Sequence, residues 1–206
     1  MGERRGKRGV LFLVCGPSGA GKDAIIKGAK RRLAGDPRYV FPLRIITRPE
    51  GFGGELHIAV TPAQFDRLRR RGDFALFWGS MGHNYAVPVS IEGELAAGRA
   101  VVVNVSAQVC GEARARYPGA GIIWISASVE LCRRRLLVRG RESAAQIDER
   151  LQLIDEPPVD EDIEILTNEG SLEAAVDAFV HMLDERMGGR PIRQAGLSGI
   201  ASPTGL

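Results

Sequence analysis

Cysteine is scarce in this chain: three in 206 residues, at Cys15, Cys110 and Cys132. Their number is odd and their spacing wide, which excludes a disulfide framework, a zinc-binding pair and a redox dithiol. They read as small buried hydrophobes or incidental thiols in a reducing cytoplasm. Aromatic residues make up only 6%. No basic stripe is interleaved with them, so nucleic acid is not an expected partner. Long apolar runs are missing as well. The basic stretch Arg4-Arg5-Gly6-Lys7-Arg8 precedes an apolar run in the manner of a secretory leader, but that run has six residues and ends in a glycine-rich turn. It is too short and wrongly followed for a leader, and no segment approaches the span of a bilayer. A cytoplasmic protein without a membrane partner is expected. Neither a G-x-S-x-G elbow nor an H-E-x-x-H motif occurs, which removes the serine-hydrolase and zinc-protease templates.

What remains is an ordinary globular composition, 44% hydrophobic with a net charge of +3. Its length suits one α/β domain with a small appendage. Arginine far outnumbers lysine, a bias that suits anionic small molecules.

The decisive segment is Gly16-Pro17-Ser18-Gly19-Ala20-Gly21-Lys22-Asp23. It follows the apolar run Val10 to Cys15 and precedes a helix-like stretch from Ala24 to Leu33. Strand, glycine-rich turn and helix form the context in which G-x-x-x-x-G-K cradles phosphates. Glycines let consecutive amides curl around an anion, and the helix N-terminus adds partial positive charge at the same point. Lys22 is placed to reach the β- and γ-phosphates of a nucleotide. The residue after the lysine is normally a hydroxyl that binds Mg²⁺; here it is Asp23. A carboxylate beside a triphosphate predicts a cation between them, held directly or through water. A first-turn acid complementing the helix dipole is the alternative. The expected cofactors are ATP and Mg²⁺.

Along the chain, residues 1–9 read as a disordered basic arm, 10–187 as the folded domain and 188–206 as a flexible Gly/Pro/Ser-rich tail. The spacing predicts strands over 10–15, 39–47, 55–60, 74–78, 85–89, 100–104, 122–126 and 163–166. Helices are predicted over 23–34, 62–71, 90–97, 108–116, 129–139, 143–154 and 172–185. Residues 40–90 break the strand–helix alternation and have the character of a β-rich insertion. The fold class is α/β, a parallel sheet covered by helices on both faces. Ligands then belong at the carboxyl ends of the strands, where Gly16, Thr47-Arg48, Asn104 and Asn168 fall.

Phosphoryl transfer needs an anchored donor, a positioned acceptor and positive charge over the transferring group. The loop and Lys22 supply the first. For the third, helix spacing puts Arg135 and Arg139 on one face, and Gly140 can end that helix and let Arg141 swing inward. A segment over 133–150 can then close as a helical lid that excludes water, with Arg150 joining it. The acceptor belongs to the insertion, where Arg44, Arg48, Glu55, His57, Trp78 and Tyr85 cluster. Arg48, leaving a strand end in Ile46-Thr47-Arg48-Pro49, can bind a phosphate bidentately, and Tyr85 can donate to the same group. His57 is a pocket donor or a structural histidine, Arg44 faces the pocket or solvent, and Trp78 reads as core. Asn104 can read a ribose hydroxyl or merely form a turn.

Loop, Thr-Arg-Pro segment, lid and Asn168 resemble the guanylate-kinase branch of phosphate-loop kinases, with departures. Phe74-Ala75-Leu76-Phe77-Trp78 has no acid where guanylate kinases carry one to read guanine, and one acceptor arginine is missing. Those departures form their own pattern. G-P-S-G-A-G-K-D, I-T-R-P, Gly53-Gly54-Glu55-Leu56-His57, F-A-L-x-W, V-V-V-N-x-S and R-G-R-E are similar to the ribose 1,5-bisphosphate phosphokinases of phosphonate-degradation operons, over about residues 9–183. Met81 and Ala86 stand where that family usually has His and Gly. The resemblance implies transfer of the ATP γ-phosphoryl group to ribose 1,5-bisphosphate, yielding 5-phosphoribosyl 1-diphosphate. It implies Asn168 on the adenine side and a small phosphorylated sugar as partner, with a homodimer left open. The alternatives are a guanylate or other nucleoside-monophosphate kinase, a sugar kinase acting on a hydroxyl, and a non-catalytic binding module of the same fold.

Overall fold

The computed structural model describes residues 9–49, 51, 55–140, 142–152, 157 and 162–188. In chain order the elements are β1 (Leu11–Cys15), α1 (Lys22–Arg32), β2 (Tyr39–Val40), β3 (Ile45–Ile46), β4 (Ile58–Ala59), α2 (Pro62–Arg71), β5 (Phe74–Ser80) and β6 (His83–Pro88). They continue with α3 (Ile91–Ala96), β7 (Ala100–Asn104), α4 (Cys110–Arg116), β8 (Gly121–Ser126), α5 (Val129–Arg139), α6 (Ala144–Gln152), β9 (Ile163–Thr167) and α7 (Leu172–Arg186).

Five strands form one sheet in the order β2-β7-β1-β8-β9, every pair parallel. The central strand β1 sets Leu13 opposite Val103 on one side and Ile122 on the other. Period-2 alternation splits its side chains between two cores. Leu11, Leu13 and Cys15 pack with Ile91, Leu95, Cys110 and Ala113 from α3 and α4. Phe12 and Val14 pack with Ile25, Ala29, Leu136, Phe179 and Leu183 from α1, α5 and α7. Burial on both faces explains why these strands read as continuous apolar runs. Each fully buried side chain of this size contributes about 1.5–3 kcal/mol of transfer free energy, which makes the sheet a rigid base for the loops at its carboxyl edge.

The β-rich middle of the chain is a second, four-stranded sheet in the order β4-β3-β6-β5, with a small core of Ile45, Phe65, Phe74 and Ala86. Here the strand expected over 39–47 is corrected. Tyr39–Val40 pairs with β7 in the first sheet, whereas Ile45–Ile46 pairs with β4 and β6 in the second. Pro42 lies between them and offers no amide to a ladder, so the chain changes sheets there. The strand expected over 55–60 shrinks to Ile58–Ala59, and the helix expected from Gln108 opens with a 3₁₀ turn over Ala107–Val109. Helix starts follow their caps: Thr61 and Gln64 exchange the two bonds of a capping box, with Pro62 in the first turn.

Of the expected basic arm, residues 1–8 lie outside the described residues. Gly9 is not part of a loose arm: its amide donates to the Leu95 carbonyl at 2.8 Å. Of the expected tail, all but Gly188 lies outside the described residues. Among the described residues no helix is long and apolar enough to cross a membrane.

Candidate active site

The glycine-rich loop joins β1 to α1 at the carboxyl edge of the parallel sheet. Gly16 has φ 135° and Gly21 φ 98°, conformations that side chains disfavour. Neither has room for one: a Cβ on Gly16 would overlap the Ile125 carbonyl, and a Cβ on Gly21 the Asn168 amide. Gly21 leaves α1 without a side-chain cap, so the first-turn amides keep their capacity for an anion. Lys22 folds back over the loop, its ammonium donating to the carbonyls of Gly16 at 2.5 Å and Pro17 at 2.8 Å.

Two residues from distant elements brace the loop from behind. Asn168, just after β9, is buried and donates through its side-chain amide to the Ala20 carbonyl at 2.7 Å. Arg135 of α5 donates to the Ala20 carbonyl at 3.3 Å and to the Asn168 carbonyl at 3.0 Å. Helix spacing places Arg135 beside Arg139, but its service as a brace depends on tertiary packing that spacing does not show. Cys132, one turn earlier, packs against Gly19. Burial pushes its thiol up, against the opposing charges of Arg135 and Lys22, so it stays neutral under the loop.

The loop forms one wall of a cavity of about 1050 Å³. The facing wall comes from the second sheet. Arg44 stands at 13%, Arg48 at 17% and Glu55 at 14% side-chain exposure. Glu55 receives Arg48 at 2.8 Å through one oxygen and Arg44 through the other. Arg44 also donates to the Asn104 carbonyl at 3.0 Å, and its guanidinium lies 5.5 Å from the Tyr85 ring centre. Tyr85 and Trp78 stack at 5.5 Å with an interplanar angle of 8°. The Nε of Arg48 is buried and makes no hydrogen bond among the described residues.

The expected site residues distribute as follows. Gly16, Pro17, Ser18, Gly19, Gly21, Lys22, Asp23, Arg44, Arg48, Glu55, Tyr85, Asn104, Arg139 and Asn168 all line this one cavity. Ala20 is buried beneath it. Arg44 faces the cavity rather than open solvent. Trp78 is buried, as expected of core, yet also lines the cavity. His57 does not line it; its ring nitrogens meet the carbonyls of Arg48 at 2.9 Å and Glu55 at 3.2 Å, holding the loop that carries both. Asn104 turns its amide to Asp23 at 2.6 Å. Gly140 ends α5 at φ 64°, and Arg139 pairs with Glu142 at 3.1 Å. Arg141 lies outside the described residues. Arg150 falls within α6, and its side chain is likewise outside them.

Sequence reasoning missed Ser80, His83 and Gln108, which also line the cavity with Met81. Met81 is the one non-glycine residue with positive φ among the described residues, 51°. With Gly82 it forms the tight turn that points the β5–β6 hairpin at the loop; Met before Gly gives no turn signal of its own.

Asp23 lines the cavity on the first turn of α1, one carboxylate oxygen held by Asn104 and the other without a hydrogen bond among the described residues. No group of three metal-ligating residues occurs among the described residues. Mg²⁺ in phosphoryl-transfer sites keeps several waters and takes one or two carboxylates plus substrate phosphates, so the single carboxylate of Asp23 at the end of the phosphate loop fits it.

A glycine-rich loop facing an arginine-bearing wall across one cleft, at the carboxyl edge of a parallel sheet, is the layout of a phosphate-loop kinase of the guanylate-kinase fold. The likeness to the guanylate kinase from Anaplasma phagocytophilum is one of fold: TM-score 0.64 at 19% identity, covering 89% of each chain. No protein-family model matches the chain. Sequence relatives are more particular. Ribose 1,5-bisphosphate phosphokinase PhnN from Thiobacillus denitrificans is 41% identical over 178 residues, 86% of this chain and 94% of the relative. The protein of the same name from Acidiphilium cryptum is 44% identical over 177 residues, 86% and 93% of the two chains. A bifunctional ribose 1,5-bisphosphokinase-thymidine phosphorylase from Cupriavidus necator is 42% identical over 176 residues, 85% of this chain and 29% of that longer relative. The chain belongs to the ribose 1,5-bisphosphate phosphokinase family.

Proposed function

We propose that this chain transfers the γ-phosphoryl group of ATP to the 1-phosphate of ribose 1,5-bisphosphate, giving 5-phosphoribosyl 1-diphosphate and ADP, in the cytoplasm and in the service of phosphonate catabolism. An oxygen of the 1-phosphate attacks the γ-phosphorus while the bond to the β–γ bridging oxygen breaks. That oxygen is already ionised at neutral pH, so no general base is required, and catalysis reduces to positioning and charge neutralisation. The loop amides and Lys22 hold the nucleotide phosphates. Arg44 and Arg48 receive the acceptor, with Tyr85 beside them, and Arg139 and Arg141 cover the transferring group. Mg²⁺ at Asp23 would neutralise charge on the β- and γ-phosphates. The adenine lies toward Asn168, where Arg134, Arg135, Val138, Glu169 and Gly170 line a second groove.

One observation carries the choice of acceptor. The carboxylates lining the cavity are Asp23, Glu55 and Glu142. Each is engaged, with Asn104, with two arginines and with Arg139 respectively. The one oxygen without a hydrogen bond among the described residues belongs to Asp23, beside Lys22 on the first turn of α1, so the facing wall offers no unengaged carboxylate to the N–H donors of guanine, and a wall lacking such a partner discriminates strongly against the base. Phe77 cannot substitute; it is exposed and sits under Arg69 at 5.8 Å. A doubly phosphorylated sugar without a base needs the arginines and hydroxyls that are present. The test is ADP release with ribose 1,5-bisphosphate and with GMP, side by side. Turnover is expected with the first; equal or greater turnover with GMP overturns the assignment.

A further inference from the structure

We propose that Asn104 is a positioning residue that fixes the Asp23 carboxylate for the nucleotide-bound cation and ties it to the acceptor arginines; the inference rests on the kinase reading above. Asn104 is the last residue of β7, whose Val101, Val102 and Val103 are buried. It stands in parallel register with Val14 of the central strand. The two ends of this one residue face different sites. Its backbone carbonyl accepts from Arg44 at 3.0 Å, and its side-chain amide donates to Asp23 at 2.6 Å. Through Arg44 the chain of bonds continues to Glu55 and on to Arg48. A continuous hydrogen-bonded path therefore runs from the acceptor wall to the first turn of α1, and Asn104 is its link across the cleft.

The chemistry explains the residue type. Asp23 is exposed on a helix surface, where an aspartate side chain is free to sample several rotamers. A neutral amide donor holds one oxygen without competing for a cation and leaves the other oxygen to bind. Partners that orient a metal-binding carboxylate in this way are worth about 10–100-fold in metal affinity. A residue acting on substrate hydroxyls would instead change acceptor binding alone.

The test uses the full chain with Asn104→Ala and Asn104→Gln. Both keep the backbone carbonyl, so the anchor of Arg44 survives. Binding of a fluorescent ATP analogue is titrated in EDTA and then against Mg²⁺, and acceptor KM is measured at saturating Mg²⁺. For Asn104→Ala the metal-free nucleotide Kd is expected to stay within about twofold, while the Mg²⁺ concentration for half-maximal binding rises about tenfold or more. Asn104→Gln, with its amide on a longer arm, should recover part of that loss. Intact nucleotide binding with unchanged Mg²⁺ dependence would overturn the proposal and leave the kinase reading standing. So would a rise in acceptor KM alone, which would make Asn104 a substrate reader. Failure of the unaltered chain to bind Mg·ATP would overturn both. Thermal melts accompany each variant, and Asn104→Ser replaces the alanine variant should that one not fold.

Discussion

Asn168 donates its side-chain amide to the Ala20 carbonyl at 2.7 Å, so the end of the parallel sheet grips the phosphate loop from below. The same amide occupies the space in which a side chain on Gly21 would have to lie. Loop shape and loop support are therefore one arrangement: the left-handed backbone at Gly21 is what allows Asn168 to close on its neighbour.

Gly21→Ala should consequently fail twice, through backbone strain at φ 98° and through collision with Asn168. Strain of this kind amounts to about 1–3 kcal/mol, and the displaced amides should weaken ATP binding by more than the loss of stability implies. Paired measurement of the melting temperature and of ATP affinity by calorimetry checks this. Native affinity in the variant would mean that the loop reshapes without penalty.

Much of this was legible in the sequence because local rules and tertiary demands agree there. Val101 to Val103 could only be a buried strand, and G-x-x-x-x-G-K after an apolar run could only be a loop opening a helix. Legibility ended where one segment serves two sheets. Tyr39 to Thr47 has the composition of one strand, and Pro42 was the signal that it is two. The site residues were legible as residues and less so as partners. From sequence, Glu55 belongs to the acceptor cluster, and Asn104 is a reader of a ribose hydroxyl or a turn former. One neutralises two arginines and the other holds Asp23, pairings between residues 11 and 81 positions apart in sequence. No spacing rule reaches such distances, and Arg135 likewise needed the fold to show that it points at the loop.

Lys22→Met should separate chemistry from folding. The ammonium donates to partly buried carbonyls of its own loop, so the melting temperature is expected to change by only a few degrees. Loss of a positioned charge on the transferring phosphates costs about 3–4 kcal/mol in comparable sites, or roughly a 10²–10³-fold drop in kcat. Steady-state rates at saturating ATP and acceptor measure it, and a kcat within about threefold of the unaltered chain would remove Lys22 from the transferring group.

Acid stability should report on Asp36. Arg38 grips this carboxylate with both arms of its guanidinium, at 3.1 Å and 2.7 Å, and this holds the carboxyl below its ordinary value of 3.8 despite burial. A group whose folded value is depressed adds stability that is present above its unfolded value and is lost as pH falls through the folded one. The contribution is thus intact at about pH 5 and fades from near 3.8 downward. Asp36→Asn should be less stable than the parent at about pH 5 and lose less between about pH 5 and pH 3. Urea midpoints at the two pH values decide it; parallel losses would mean that the pair contributes nothing.

Arg48 gives the sharpest test of the acceptor wall, because it lines the cavity while Glu55 fixes its guanidinium. Its Nη2 donates to Glu55 at 2.8 Å, and its buried Nε makes no hydrogen bond among the described residues. Arg48→Ala removes both and should raise acceptor KM by about 10–100-fold, the value of one to two charge-assisted bonds, with the KM for ATP moving little. Arg48→Lys distinguishes shape from charge. An ammonium on a flexible stem can stay with Glu55 or turn to the acceptor, but it lacks a fixed fork that serves both at once. Most of the loss should therefore persist in the lysine variant although the charge is kept. Recovery to within about threefold by lysine would show that the wall attracts its ligand by net charge alone.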